Sequence, residues 1–374
     1  MSRVGGAWLG ALLLLAALAA PLGAEPIFLS RQYAHCTNCH YSPTGGGLLT
    51  PYGRSLSREE LSSFGKSPGA TPSGREQQFL FGALKDLTGP VSLGIELRPA
   101  HLHFDYGDTS AKLDLFMNAD VSAAFRTGGW TFYGEFGRQP RQSGTLVESF
   151  EHWISYDGAQ GFGVRVGRFL PAYGVRFPDH TTFTRAPLGF DEYDQVYAVE
   201  GSYRSDRQLI QVSVGPGRAE DVTDSDKRAI TASARYQFDL TPRTVVVASG
   251  IVRDSSNVAP SGGATGLAFG FVPVRRLTVW TEGDVQFRSG EFKDHYYTGL
   301  VHAAYEVVRG LWLEVFPQIA TAYGDSSAGT TRLGAGLNWL PRTHWNVLVN
   351  YYDDRDRQSD RHTKTLLLQL HLYL

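Results

Sequence analysis

The stretch Leu113-Asp114-Leu115-Phe116-Met117-Asn118-Ala119-Asp120-Val121-Ser122-Ala123-Ala124-Phe125 changes character at every second residue. Its odd positions read Leu113, Leu115, Met117, Ala119, Val121, Ala123 and Phe125, whereas Asp114, Phe116, Asn118, Asp120 and Ser122 fall between them. Side chains alternate across a β-strand, so this pattern puts one face in an apolar medium and the other in a polar one. The same period returns with Ile230, Ala232, Ala234, Tyr236 and Phe238 set against Thr231, Ser233, Arg235, Gln237 and Asp239. It returns again with Val279, Thr281, Gly283, Val285 and Phe287 against Trp280, Glu282, Asp284 and Gln286. At the C-terminus, Leu366, Leu368, Leu370, Leu372 and Leu374 share one face. A soluble sandwich also alternates, so the strands alone do not choose an architecture. The connections do.

Sixteen candidate strands begin near residues 91, 112, 130, 147, 161, 193, 207, 227, 243, 263, 275, 295, 311, 330, 343 and 364. Short links (Thr127-Gly128-Gly129, Asp157 to Gln160, Ser205-Asp206, Leu240 to Arg243, Pro273 to Arg275, Arg309-Gly310, Pro341-Arg342) alternate with long polar ones such as 137–147, 216–227 and 353–362. Short turns on one rim and long loops on the other mark a transmembrane antiparallel β-barrel, and an even strand count puts both termini on the short-turn, periplasmic side. The fold class is therefore all-β: a barrel of about 16 strands over 78–374, preceded by a short segment of different composition.

Composition agrees. The 374 residues include 42 Gly, 18 Tyr, 21 Phe and 7 Trp but only 2 Cys, which suits tight turns and aromatic girdles rather than a disulfide framework. Formal net charge is −2, so no basic field invites nucleic acid. No apolar run after the extreme N-terminus approaches the ~20 residues of a spanning helix.

At the N-terminus, Arg3 precedes an Ala/Leu run ending at Ala20, followed by Pro21-Leu22-Gly23-Ala24. This reads as a secretory signal peptide over 1–24 with cleavage after Ala24. Residues 25–77 then carry Cys36-Thr37-Asn38-Cys39-His40, a C-x-x-C-H motif. Two thiols on one turn can bond the two vinyl carbons of a haem, and the next residue presents its imidazole to the iron. The expectation is one covalent haem c held by Cys36, Cys39 and His40, with His40 as proximal ligand. A Cys36–Cys39 disulfide, half a zinc site and a thioredoxin-like pair are the alternatives. A second Cys pair is lacking for a Zn–Cys site. Pro43, Gly45, Gly46, Gly47 and Pro51 permit reversals around a flat ring. A short helix is expected from Ser57 to Phe64 with Ser57 as its cap, followed by a Ser/Pro/Gly linker from Lys66 to Arg75.

For the second axial ligand, alternation puts Met117 on the lipid face, which argues against His–Met ligation. His371 and His302 fall on lumen positions and are the candidates for a distal ligand. His35 would reach the iron awkwardly, and His101, His103 and His180 lie toward the outer rim. The third long connection, Pro171 to Asp194, holds Tyr173, Arg176, Asp179, His180, Arg185, Asp191 and Glu192, and by analogy with porins it folds inward. Asp114, Asp120, Glu135, Glu200, Asp239, Glu282, Asp284, Glu306 and Glu314 face the lumen by the same parity, opposed by Arg165 and Arg235; an acidic lumen favours cations. No catalytic residue is singled out.

Signal peptide, single C-x-x-C-H segment and barrel together resemble the fused monohaem cytochrome–porins, whose best-known members are outer-membrane iron oxidases of Fe(II)-oxidising bacteria. At residue level the resemblance rests on Phe28, Arg31-Gln32, the Cys36/Cys39/His40 motif, Pro51, Gly53 and Arg54; Tyr33-Ala34-His35 and the Pro43 to Gly47 insert depart from it. It implies an outer-membrane electron-transfer protein with extracellular Fe(II) as possible donor, a periplasmic electron carrier as partner, and Fe(II) oxidation as a conceivable activity. A cation-preferring diffusion or uptake porin whose haem segment is a plug or sensor is the alternative. A homo-oligomer is compatible with both.

Overall fold

A computed structural model of the chain describes residues 26–33, 35–65, 90–138, 148–179, 181–185, 194–217, 230–254, 262–288, 295–322 and 325–374. The expected signal peptide, the linker from Lys66 to Arg75, and His180, Asp191 and Glu192 lie outside these residues.

Among the described residues, seventeen strand segments form a single antiparallel sheet that closes on itself. They are β1 (Val91–Asp105), β2 (Ser110–Thr127), β3 (Trp130–Arg138), β4 (Glu148–Asp157), β5 (Phe162–Phe169), β6 (Val196–Arg204), β7 (Gln208–Gly217) and β8 (Thr231–Thr241). There follow β9 (Thr244–Arg253), β10 (Gly262–Val274), β11 (Leu277–Arg288), β12 (His295–Val308), β13 (Leu311–Val315), β14 (Gln318–Ala322), β15 (Asp325–Trp339), β16 (Trp345–Asp356) and β17 (His362–Tyr373). Both β13 and β14 pair with β12 on one side and β15 on the other. They are two halves of one stave interrupted at Phe316-Pro317, where Pro has no N–H for the ladder. The barrel thus has sixteen staves, in the positions expected from the alternation. Each stave pairs with its sequence neighbours, and β1 pairs with β17 to close the ring. Closure leaves no edge strand, which lipid would otherwise strand without hydrogen bonds.

Outward positions form an apolar belt. Val121, Val164, Val166, Val212, Val214, Leu267, Leu313 and Leu368 are exposed, far more large apolar surface than a soluble protein shows. Trp130 against Tyr156 and Phe162 against Tyr203, each pair with ring centroids 4.9 Å apart, flank the short turns as an aromatic girdle.

One strand departs from simple parity. β2 carries one extra residue opposite β1 between the Leu97/Ala119 and Pro99/Phe116 pairs. Pro99 cannot donate to the ladder, and the bulge lies opposite it. Met117 and Asn118 consequently both point inward, at 7% and 6% exposure, while Phe116 faces out. Two expectations are corrected here. Met117 is not on the lipid face, so its orientation does not exclude it as a haem ligand. Asp114 is not in the lumen; it projects outward and pairs with His101 at 2.6 Å.

The segment before the barrel sits inside it. Phe28 packs edge-on to Trp312 of β13 with centroids 5.6 Å apart, in an apolar cluster with Ile27, Tyr33, Cys39, Leu56 and Leu61. Among its described residues the α-helix is α1 (Pro51–Leu56), which starts earlier than expected: Thr50 is the cap, accepting from Gly53 N–H at 3.1 Å, and Pro51 takes the first turn. Ser57, expected as the cap, instead opens a π-helical turn to Leu61. The C-terminal end of the plug lies against the short turns, with Ser63 N–H donating to Leu340 O and Phe64 N–H to Pro341 O.

Replacing Leu267, in mid-strand on the lipid face, by Lys should destabilise the folded barrel by about 2–4 kcal/mol, as charged groups near the bilayer midplane do. Urea titration of the protein refolded into liposomes reads this, and an unchanged midpoint would contradict the assigned lipid face.

Candidate functional site: a plug motif facing a lumen cavity

The plug is keyed to the wall through polar contacts. Trp280 Nε1 donates to Pro26 O at 2.8 Å, Thr278 Oγ1 to Ile27 O at 3.0 Å, and Ser30 N–H to Thr278 Oγ1 at 3.1 Å. Arg31 pairs with Glu306 at 2.5 Å and His35 with Asp239 at 2.7 Å. Ser42 Oγ donates to Glu151 at 3.1 Å, Leu48 N–H to Tyr133 Oη at 3.3 Å, and Tyr41 and Ser92 hydroxyls meet at 2.7 Å. His35 is thereby engaged with Asp239.

The described residues of the third long connection, 171–179, 181–185 and 194, fold inward as the porin analogy suggested. Tyr173, Val175 and Phe177 are buried. Tyr173 Oη donates to Asp284 at 2.8 Å, Gly174 N–H to Ser249 Oγ at 2.9 Å and Val175 N–H to Glu282 at 3.1 Å. Farther along, Arg332 donates to Thr181 O at 2.8 Å and Tyr352 Oη to Asp179 at 2.9 Å. Arg176 reaches down from this loop and donates to Gly45 O of the plug. Plug and loop therefore meet within the lumen.

Most lumen carboxylates find partners in this arrangement. Asp120, Glu135, Glu200, Glu282, Asp284, Glu306 and Glu314 are buried, as is Arg165, which bonds Glu200 at 3.0 Å. Asp239 and Arg235 also face inward, Arg235 donating to Gly174 O at 2.9 Å. The acidic lining is the socket for plug and loop.

Where plug, loop and wall converge, a cavity encloses about 1220 Å³ including its mouth. Cys36, Cys39 and His40 line it from the plug, Arg176 and Phe177 from the loop, and Glu96, Arg98, Asn338, Gln369, His371 and Tyr373 from the wall. Cys36 to Asn38 form one turn of 3₁₀-helix, closed by Cys39 N–H on Cys36 O at 3.1 Å and His40 N–H on the same oxygen at 3.0 Å. That turn brings both cysteines and His40 to the wall of one cavity. The chain then doubles back so that His40 bridges Leu49. The reversal runs through Gly45, Gly46 and Gly47 at φ of +82°, +75° and +58°, a region only glycine adopts without strain. Gly53 of α1 lies against the motif itself, and a Cβ there would come within 2.5 Å of Cys39 O.

His40 is buried and its Nδ1 has no hydrogen-bond partner. Burial, and then the nearby Arg176 guanidinium, pull its imidazole down to about 4, against the opposing pull of Glu96 and the Gly46 and Gly47 backbone. The ring is therefore neutral at pH 7, the form a metal ligand needs. The two cysteines are separate thiols. Separate thiols, a neutral buried imidazole and a cavity lined by all three fit a covalently held haem.

A second cavity, about 1250 Å³ with its mouth, touches Thr37, Asn38 and His40 and reaches Arg126, Asp157 and Arg204 beside the short turns. His40 lies between the two cavities. Of the distal candidates, His371 lines the first cavity and His302 does not. His302 is 3.3 Å from Glu314, with its ring between Phe177 and Phe316 at centroid distances of 5.1 and 5.9 Å. Met117, though inward, does not line the cavity either; it belongs to an apolar cluster with Leu29, Val175 and Phe177. Glu96 and Arg98 were not singled out in the sequence. Their alternation with Leu97 on a lumen strand was the signal that could have found them.

No family model and no curated protein matches the sequence. Solved structures do match the fold. An outer membrane channel, DcaP of Acinetobacter baumannii, is 12% identical, covers 76% of this chain and 97% of its own, and has a TM-score of 0.55. OmpF of Salmonella typhi, solved with daunomycin, is 10% identical over 76% and 97% with a TM-score of 0.60. An anion-selective porin from Comamonas acidovorans is 9% identical over 76% and 99% with a TM-score of 0.59. At such identities the likeness concerns the fold: this chain is a porin-like, outer-membrane type β-barrel of sixteen staves.

Gly53→Ala should unseat the motif from α1, because the neighbouring atom is backbone carbonyl and cannot rotate away. Protease cleavage at Arg58 in the detergent-solubilised protein, faster in the variant than in the wild type, would report it; equal rates would speak against this packing.

Proposed function

We propose that this chain is an outer-membrane barrel closed by its own haem-bearing plug, and that it passes electrons rather than solutes. The observation that supports the reading best is the convergence of Cys36, Cys39 and His40 on one lumen cavity. Cys36 and Cys39 would form the thioether links and His40 would be the proximal ligand, kept neutral by burial. When bound, haem c supplies a one-electron couple. The chain's own residues do the rest. Plug and inward loop occupy the lumen and are fastened to its wall through Arg31–Glu306 and His35–Asp239 below and Tyr173–Asp284 above. The turn-side cavity beside Thr37 and Asn38 gives a periplasmic electron carrier an approach to the motif. An extracellular donor, Fe(II) by resemblance, would approach from the loop side.

A second reading is favoured by the porin and channel likeness of the fold: a diffusion or uptake porin in which the haem segment is a plug or sensor, with any cation preference coming from the acidic lumen residues. One similar structure, OmpT of Vibrio cholerae, is described as a trimer form, so a homo-oligomer suits either reading.

Purified protein in liposomes that enclose a redox dye separates the two. The conduit reading expects a covalent haem stain, dye reduction when Fe(II) is added outside, and no release of a small entrapped sugar. Free sugar release without electron crossing would establish the porin reading instead, and absence of covalent haem would remove the cofactor from both.

A further inference from the structure

We propose that His371 is the second axial ligand of the haem iron, and that Glu96 is the carboxylate that positions it. This rests on the reading that Cys36, Cys39 and His40 carry a haem. Among the described histidines, His371 is the one that lines the motif's cavity besides His40 itself. It belongs to β17, the closing strand, where pairing with Asn346 of β16 fixes its backbone. Its Nε2 stands 3.3 Å from Glu96 Oε1 on β1, the strand across the seam. A metal-ligating imidazole commonly gives one ring nitrogen to a carboxylate, which sets its orientation and raises the basicity of the other. Glu96 is in turn paired with Arg98, so the carboxylate is itself held.

The plug is tied to the same strand. Tyr373, two residues on, packs against the His371 ring with centroids 5.0 Å apart, and its hydroxyl meets Ser57 Oγ at 2.9 Å. Ser57 directly follows α1, whose Gly53 abuts Cys39. The wall histidine and the motif are thus held through one short chain of contacts. The competing ligands are engaged elsewhere: His302 with Glu314 and two phenyl rings, Met117 in its apolar cluster.

The test uses the purified full-length holoprotein and its His371→Ala and Glu96→Gln variants. Optical and electron paramagnetic resonance spectra of the ferric form are read beside a haem stain on denaturing gels. The wild type is expected to be six-coordinate and low-spin with a bis-imidazole near-infrared band. His371→Ala should keep its covalent haem yet become high-spin, and added imidazole should restore the low-spin spectrum. Glu96→Gln should stay low-spin with a raised reduction potential, because a less basic imidazole stabilises the ferric state less. A low-spin His371→Ala spectrum identical to wild type overturns the assignment and leaves the haem reading intact. A wild type without haem stain overturns that earlier reading and this one with it. Should His371→Ala fail to fold, the wild-type near-infrared band still decides, since a His–Met or five-coordinate signature overturns the assignment.

Discussion

In lipid, a backbone N–H or C=O without a partner costs several kcal/mol, so a sheet that crosses a membrane has to close. Here that constraint is met at the seam where β1 pairs with β17, from Glu96 opposite Tyr373 to Asp105 opposite Lys364. Everything inside depends on that seam. It determines the register of the first and last strands, and so brings Glu96 beside His371 although the two are far apart in the chain. It also presents Tyr373 to Ser57 of the plug. The ladder that solves the membrane problem is therefore the same ladder that builds one wall of the cavity.

A closed barrel with alternating strands creates a second difficulty, because its polar inner face is then covered by plug and loop. Buried carboxylates without partners would be costly. The interior answers with reciprocal pairing: Arg31 with Glu306, His35 with Asp239, Tyr173 with Asp284 and the Val175 amide with Glu282. In an open pore such residues would set an electrostatic field for ions. In this lumen they hold two inserted segments, one from each rim. The plug has little apolar core of its own and borrows Trp312, Leu340 and Ala304 from the wall. Its contacts with the wall are long-range, as with the 254 residues that separate Trp280 from Pro26.

Much of this was legible in the chain because its signals are local. Alternation at period two gave the staves, and the short and long connections gave the two rims. C-x-x-C-H announced the motif by spacing, and the structure forms it as a single turn. The failures were failures of local reading. Met117 and Asp114 were assigned by extending the β2 alternation in both directions, but the bulge opposite Pro99 reverses the parity at Met117. The cause lies in the neighbouring strand, eighteen residues earlier, so nothing within β2 itself announces it. Likewise Ser57 with Glu60 reads as a capping box, yet Thr50 and Pro51 start a helix earlier and pass through Ser57.

The sequence by itself determined the architecture and the presence of one C-x-x-C-H motif in the segment ahead of the barrel, because strand period, turn length and motif spacing are properties of neighbouring residues. Only the tertiary structure decided that this segment lies within the barrel, that the lumen acids are its socket, and that His371 rather than His302 or Met117 shares a cavity with His40. Those facts depend on which distant strands are brought together by closure and on where one proline shifts a register. No run of neighbouring residues encodes them.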